Sequence, residues 1–311
     1  MRGPILDRSL AAALATMFVW GVNFAFTKHV LDHVGVGAFV FIRFALLPLL
    51  AAALLVIIFR NRIRATWPRR EDLPRFVLCG LVGHALHISV VMNGMNLSTP
   101  FSSSLVLTSG PLFTLGILAA LGAERLRARQ VAGTLIACAG IVVFLSDKFA
   151  RGLAGAGAGD LLLLVAAFLF ALYTVLAQPL AKRYGPLIVL SYTLFFSAPF
   201  IVLFTFRSFA EAPMAALPAS VWIGIVWGVI GANFFGWLMW TWVNSVRGIA
   251  RSAPFAYLTP PIAGIVAWLS LGETFTWLKI IGAAVTMGGI AWAQFGGGKP
   301  PSKEAGQPDA A

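Results

Sequence analysis

The sequence predicts an all-α membrane protein of ten transmembrane helices, arranged as two inverted five-helix repeats. Ten continuous apolar runs approach the roughly 20 residues that a helix needs to cross a bilayer. Only 11% of the 311 residues are charged, and a Pro–Gly–Glu–Gly–Gly pattern occurs once in each half of the chain. Together these three observations indicate a helical bundle that was built twice from the same unit.

The composition separates this chain from soluble proteins. Hydrophobic residues make up 59% of it, and its mean hydropathy is +0.88. Soluble domains carry about 25% charged residues, more than twice the share found here. The net charge of +12 would suit a nucleic-acid binder, but the basic residues occupy short gaps between apolar runs. We therefore expect a lipid bilayer as the partner and no nucleic acid.

The predicted spans follow one another with short connections. The first is a retained span and not a signal peptide, because it is too long and ends in WGVNFAFTK without a small-residue cleavage site. Strands are a poor alternative, since the runs are continuous and rich in Ala and Leu. The ten spans are Ser9–Lys28, Val36–Phe59, Pro74–Met95, Phe101–Gly122, Val131–Ser146, Leu161–Leu180, Leu187–Phe206, Ala219–Val243, Ala253–Gly272 and Phe275–Phe295.

Basic residues in the short loops set the orientation of the spans. With the N-terminus inside, the inner segments carry 17 of the 23 Lys and Arg residues, and Arg43 lies within a span. The five on the outer side are Lys28, Lys148, Arg151, Arg207 and Lys279. We therefore predict a multi-pass protein of a bacterial inner membrane with both termini cytoplasmic. We also expect it to act as a monomer.

An internal repeat divides the chain near its middle. When the sequence is shifted against itself by 150 residues, a series of identical or similar residues superposes in the same order. After Gly122 the shift becomes 149, because one residue is removed there. The matched pairs are Trp20 and Phe170, Gly35 and Gly185, Pro111 and Pro261, Gly122 and Gly272, Glu124 and Glu273, Gly133 and Gly282, and Gly140 and Gly289. Such ordered matching indicates a true repeat, since chance would match isolated glycines only.

The number of spans in each repeat determines how the halves are related. Each repeat holds five spans, so the second must enter the membrane from the opposite face. The predicted parts are a first repeat at 1–150, a linker at 151–160, a second repeat at 161–295 and a disordered cytoplasmic tail at 296–311. Inverted repeats of this kind form many secondary transporters, in which two equivalent halves rock about a midplane site.

Short motifs give the chain a family resemblance. WGVNFAFTK in the first span, FIRF in the second, and the pattern that closes each half resemble the two EamA domains of the drug/metabolite transporter superfamily. The resemblance covers about residues 9–295. It implies a ten-helix carrier with a central cavity lined mainly by the first, third, fourth, sixth, eighth and ninth helices. The family includes exporters of amino acids and other metabolites, and relatives that handle nucleotide sugars or drugs.

Polar and aromatic side chains form a stripe along the first span and another along the eighth. Members of each stripe recur every three or four residues, which places them on one helix face. The stripes are Thr16, Trp20, Asn23 and Thr27, and Asn233, Trp237, Trp240 and Asn244. The repeat also matches Asn23 with Tyr173, and His87 with Trp237. Because polar groups avoid lipid, the stripes predict a cavity lining; packing between helices is the alternative.

His84 and His87 lie three residues apart and project toward one side of the third span. No further Cys, His or carboxylate is evident as a partner, so we predict no metal site and no cofactor. Hydrogen bonding toward the cavity and bonding to a neighbouring helix are two alternatives for this pair. Because imidazole titrates near neutrality, His87 is also a candidate proton carrier.

Three other residues bear on a substrate site. Lys28, at the outer end of the first span, suits a substrate carboxylate or an interfacial anchor. Arg43 suits an anion, but we expect it to be satisfied by helix-end carbonyls or to reach outward, since the second helix is expected to be peripheral. Tyr257 lies one turn before Pro261, whose kink frees a backbone carbonyl in the same region.

Acidic residues are absent from the middle of every predicted span. A carboxylate that would hold an organic cation or carry a proton is therefore missing, which argues against multidrug-cation antiport. No Walker sequence indicates ATP hydrolysis. The chain also lacks the nucleophile, metal set or paired carboxylates of an enzyme.

These observations predict a secondary transporter, an exporter of small metabolites such as amino acids. Two alternatives stay open: a facilitator or exchanger of anionic or sugar-linked metabolites, and a membrane-embedded enzyme that uses His84 and His87. The predicted site for the small-molecule substrate consists of Trp20, Asn23, Lys28, His84, His87, Tyr173, Asn233, Trp237, Trp240 and Tyr257.

Overall fold

The computed structural model describes residues 4–122, 128–150, 154–248 and 252–295, and every regular element in these ranges is helical. The α-helices are α1 Pro4–Phe59, α2 Leu73–Gly80, α3 His87–Leu97, α4 Pro100–Leu107, α5 Gly110–Ala120, α6 Ala128–Ala150, α7 Ala154–Tyr184, α8 Pro186–Ala210, α9 Ala219–Val226, α10 Gly236–Arg247, α11 Thr259–Leu271 and α12 Trp277–Phe295. The prediction of an all-helical protein is confirmed for these residues.

Six helical stretches in the described ranges are long and apolar enough to cross a membrane, by length and composition. They are Arg8–Phe59, Ile63–Leu97, Pro100–Ala120, Gly157–Tyr184, Pro186–Ala210 and Ala219–Arg247. Shorter apolar helices cover Val131–Ser146, Phe255–Leu271 and Trp277–Trp292. The protein is therefore a helical membrane protein with several apolar spans. The predicted count of ten spans treats the first stretch as two helices and includes the three shorter helices. This count stays a prediction.

Gly35 interrupts α1 and separates it into two arms. Its backbone has φ 74° and ψ 167°, a conformation that glycine enters at no steric cost and other residues rarely adopt. The repeat mate Gly185 joins α7 to α8 with φ 83° and ψ 159°. Gly122 and Gly272 form a second matched pair, with φ values of 68° and 64°. These two pairs of glycines therefore adopt positive φ at corresponding places in both halves.

A wide helical turn also occurs at matching places. Leu81–Leu86 joins α2 to α3 as a π-helix, and Trp227–Phe235 joins α9 to α10 in the same way. The repeat offset of 150 residues places the first π segment at 231–236, which overlaps the second π segment. Such π-helical turns are rare and frequently lie at functional sites. Each of these leads directly into a helix whose side chains line the cavity described below.

The main hydrophobic core joins the two halves of the chain and packs against one face of the second arm of α1. Its large, fully buried side chains are Phe39, Phe44, Phe76, Leu163, Leu180, Leu190 and Leu194. Other large apolar side chains remain on the outside, among them Leu203 with 74% and Trp277 with 79% of the side chain exposed. This exposure fits a surface that faces lipid tails, which are as apolar as leucine.

The helices α6 and α12 pack backbone against backbone. A Cβ atom added to Gly140 would lie 2.4 Å from the backbone nitrogen of Thr286, and one added to Gly282 would lie 2.6 Å from that of Phe144. Small residues let membrane helices approach closely enough for extensive van der Waals contact. The repeated glycines at the end of each half are therefore packing residues of this helix pair.

Candidate functional site

A cavity of about 170 Å³ lies between the two halves of the chain. At about 30 Å³ per water molecule it has room for about six waters, the size of a small organic molecule. Its walls come from α1, α3, α4 and α5 in the first half, and from α7, α10, α11 and the second π segment in the other half. The polar and aromatic side chains that line it are Trp20, Asn23, Phe24, Arg43, His87, Ser104, Thr108, Thr114, Phe170, Thr174, Asn233, Trp237, Trp240 and Thr259.

Four rings, Trp20, Phe170, Trp237 and Trp240, form an aromatic wall of the cavity. The ring centroids of Trp20 and Trp240 are 5.7 Å apart, those of Trp20 and Phe170 are 6.3 Å apart, and those of Phe170 and Trp237 are 5.5 Å apart. The indole nitrogen of Trp20 donates to the backbone carbonyl of Ala232 at 2.9 Å, which fixes this ring against the second half. The aromatic wall offers a substrate a large, rigid contact surface.

Arg43 projects from the second arm of α1 into the same cavity, with only 2% of the residue exposed. Its Nη2 donates to the side-chain oxygen of Asn233, and its Nη1 lies 3.1 Å from the sulfur of Met92. The guanidinium also lies 5.4 Å from the ring centroid of Phe39, while its Nε has no hydrogen-bond partner. Among the side chains that the structure describes, no carboxylate forms an ion pair with Arg43.

Asn233 connects Arg43 to the second π segment. Its side-chain nitrogen donates to the backbone carbonyl of Gly228, five residues earlier. The five-residue spacing of this bond matches the i→i+5 spacing of a π-helix. Asn23 lies nearby, since its side-chain oxygen would be 3.5 Å from a Cβ atom at Gly228. This oxygen is buried and has no hydrogen-bond partner.

His87 contributes an imidazole ring to the cavity. Its Nδ1 lies 2.9 Å from the backbone carbonyl of Ala166, so Nδ1 carries the proton and donates. In the neutral tautomer, Nε2 is then an acceptor. The ring centroid lies 5.2 Å from that of Phe170 and 6.1 Å from that of Trp237, so the imidazole extends the aromatic wall.

Six of the ten side chains that the sequence suggested lie together in this cavity. They are Trp20, Asn23, His87, Asn233, Trp237 and Trp240. Their helical spacing accounts for this, because residues three and four apart on one helix share a face. A binding role for these six residues stays a prediction.

His84 and Tyr173 lie behind the aromatic wall and do not line the cavity. The His84 ring centroid is 4.7 Å from that of Trp237, and the Tyr173 centroid is 5.2 Å from it. His84 Nε2 also lies 3.0 Å from the hydroxyl of Thr193. Both residues thus support Trp237 from the side away from the cavity.

Lys28 and Tyr257 lie elsewhere. The Lys28 ammonium donates to the backbone carbonyl of Asn96 at 2.8 Å and forms an ion pair of 3.2 Å with Asp32. Tyr257 is buried in a small apolar cluster around Leu112. The structure therefore does not bring Lys28 or Tyr257 into the cavity lining.

The expectation that Arg43 is satisfied by helix-end carbonyls or reaches outward is wrong. One face of the second arm of α1 packs against the core, and Arg43 is buried and turned inward. The sequence did carry a signal, because an arginine within a span usually faces the bundle interior or a water-filled cavity. The sequence gave no such signal for the hydroxyls of Thr108, Thr114 and Thr174. A threonine hydroxyl can donate to a carbonyl of its own helix, as each of these three does, so its presence in a span does not indicate a cavity.

A bundle of apolar helices around a small cavity lined by both halves defines a membrane transporter and not an enzyme. The chain belongs to the EamA-like transporter family, whose model matches residues 8–146 and again residues 157–294. It therefore contains two EamA repeats. In the part of the chain that the structure describes, no group of three or more His, Cys, Asp or Glu side chains is arranged to hold a metal ion.

Two curated relatives and one solved structure resemble the chain over most of its length. A protein of Streptantibioticus cattleyicolor, named a probable terminal-alkyne amino-acid exporter, is 28% identical over 92% of this chain and 93% of its own. A protein of Escherichia coli, named a probable amino-acid metabolite efflux pump, is 27% identical over 91% of this chain and 94% of its own. A crystal structure at 20% identity covers 93% of this chain and 98% of its own, with a TM-score of 0.66, and shows the fold alone.

Proposed function

We propose that this chain exports small metabolites, amino acids in particular, by alternating access through the cavity. The observation that carries the proposal is the chemistry of the lining. It combines the aromatic wall, the buried cation of Arg43 and the unpartnered oxygen of Asn23, and none of the described carboxylates lines it. Such a lining suits a molecule with one carboxylate, one hydrogen-bond donor and an apolar side chain.

The relatives support the same substrate class. The two relatives described above align over more than nine-tenths of this chain and are named for amino-acid export and amino-acid metabolite efflux. Their names apply to those proteins. The cavity chemistry is therefore the argument for this chain, and the relatives agree with it.

A facilitator or exchanger of anionic or sugar-linked metabolites is the second candidate. The unneutralised charge of Arg43 favours small anions in general. The cavity volume disfavours nucleotide sugars, because a space of about 170 Å³ holds about six waters, and a nucleotide sugar has many more non-hydrogen atoms than that. Small organic anions are thus the form of this alternative that the cavity accepts.

Counterflow in liposomes tests the proposal. The purified protein is reconstituted into vesicles loaded with one unlabelled amino acid, and uptake of the same labelled amino acid is followed with equal pH on both sides. We expect transient accumulation of the label above the level in protein-free vesicles, because exchange needs no ion gradient. Counterflow of small carboxylic or phosphorylated metabolites, with none for any of the protein amino acids, would support the second candidate instead.

The arrangement of the chain in the membrane is part of the same proposal. We infer two inverted repeats at 1–150 and 161–295, both termini in the cytoplasm, and a monomer as the working unit. The distribution of 17 inner and five outer basic residues supports this orientation. Alternating access would then follow from rocking of the two repeats about the cavity.

Cysteine accessibility is expected to show this orientation. In a variant without Cys79 and Cys138, a single cysteine at Ala158, an exposed position of the proposed linker, should react with a membrane-impermeant thiol reagent added to whole cells. A cysteine at Arg64, which is exposed in the structure, should react only after the cells are opened. The opposite pattern would reverse the topology.

A further inference from the structure

Arg43 is a buried cation with an incomplete set of partners. A charged side chain inside a membrane protein is costly and normally pairs with an opposite charge or with several acceptors. Arg43 has one amide oxygen, one thioether sulfur and one aromatic ring, and its Nε bonds to nothing. A thioether is a weak acceptor, so much of the hydrogen-bonding capacity of the guanidinium is unused.

Asn233 occupies the place where a counter-ion would lie. Its oxygen accepts from Nη2 of Arg43, and its nitrogen is bound to the carbonyl of Gly228. An amide oxygen is a neutral acceptor, whereas a carboxylate adds charge–charge attraction and can accept two parallel bonds from the guanidinium. A carboxylate that reaches Arg43 through the cavity would therefore compete successfully with Asn233.

The surroundings of Arg43 fit a molecule that carries this carboxylate. Arg43 and Asn233 line the cavity together with the aromatic wall, so a carboxylate at Arg43 places its attached side chain near these rings. The unpartnered oxygen of Asn23 faces the same part of the second π segment, next to Gly228. It is an acceptor for an amino group on the same small molecule.

We propose that Arg43 is the anchor for the carboxylate of the substrate, and that Asn233 is the acceptor that this carboxylate displaces. The proposal rests on the proposed function, because it assigns a residue to each end of a transported amino acid. It has a consequence for specificity: an amino acid should bind, while its amide should bind far more weakly. The guanidinium has two parallel donors to offer a carboxylate, but a neutral amide oxygen gains no charge–charge attraction from them.

Binding to the purified full-length protein in detergent tests this assignment. The probes are the protein amino acids with their C-terminal amides, and 3-phenylpropionate with 3-phenylpropionamide. The readouts are the fluorescence of the cavity tryptophans and the shift in thermal unfolding. We expect wild-type protein to prefer at least one acid over its amide by about tenfold or more. Binding of neither acids nor amides, or equal binding of both, would overturn the proposal.

Three single variants test whether the acid preference comes from Arg43 itself or from the overall charge of the protein. Arg43→Gln should bring the acid-to-amide ratio close to one. Asn233→Asp keeps Arg43 but gives it a permanent counter-ion, and should abolish the same preference even if Arg43→Gln does not fold. Arg207→Gln removes an equal charge from an exposed side chain and should bind like the wild type. An acid preference that persists in Asn233→Asp or Arg43→Gln would overturn the assignment.

The outcomes for the anchor and for transport are distinguishable. If wild-type protein prefers acids but shows no counterflow of amino acids, Arg43 remains the anchor and the proposed function fails. If amino acids exchange in vesicles and Arg43→Gln keeps its acid preference, the transport proposal stands and the anchor is wrong.

Discussion

Trp237→Ala is expected to lower the initial rate of amino-acid counterflow by about tenfold or more. Trp237 lies between the cavity and the side chains of His84 and Tyr173, and only 8% of it is exposed. Its removal deletes the centre of the aromatic wall and lets the supporting rings move into the space. The rate is measured in vesicles with equal amounts of reconstituted protein, and a tenfold change corresponds to about 1.4 kcal/mol.

Trp277→Ala is the matched control for this experiment. It makes the same chemical change at a ring that is 79% exposed on the outside of the bundle. We expect its rate to stay within about twofold of the wild type, as for Leu203→Ala, which removes another exposed side chain. Gel filtration and thermal unfolding must show that Trp237→Ala is folded, because the residue is buried. Equal losses in all three variants would mean that the aromatic wall has no special role in transport.

Much of the fold was predictable because lipid imposes simple rules. A chain in a bilayer must satisfy its backbone hydrogen bonds internally, so long apolar runs have to be helices. Gly35 and Gly185 were visible as a repeat pair, and both make breaks with positive φ. The π segments were not predictable. A π-helix differs from an α-helix only by a shift of backbone hydrogen bonds, which leaves no periodic signal in the sequence.

The candidate site was predictable on helices with a polar stripe and not elsewhere. Trp20 and Asn23 lie on the same face of α1 at helical spacing, and both line the cavity. Arg43 has no polar neighbours at helical spacing, so its direction had to be inferred from the expected position of the second helix. The second arm of α1 does keep an exposed apolar face, with Leu49 and Ile57 on it, but Arg43 itself is buried and reaches the cavity. In a membrane both faces of a helix are apolar, so hydrophobic periodicity does not show which one is buried.

Packing between helices also follows from the bilayer. Lipid tails are as apolar as leucine, so burial of apolar surface in itself gives little attraction between helices. The pair α6 and α12 instead relies on close contact at Gly140, Gly282 and Gly289. This contact involves a segment of each repeat, so its loss is expected to loosen the connection between the two halves.

Gly289→Ala is therefore expected to destabilise the protein by about 1–3 kcal/mol, the usual cost of overpacking. The new Cβ atom would lie 2.4 Å from the backbone nitrogen of Ala137 and 2.8 Å from the backbone oxygen of Gly133, so the two helices must move apart. Gly288→Ala, one residue earlier on α12, is the matched control, because a Cβ atom there meets nothing within 4 Å. It should leave the stability unchanged or raise it slightly, since alanine favours a helix over glycine. Thermal unfolding in detergent compares the two Tm values, and equal Tm values would show that α6 and α12 do not depend on this close approach.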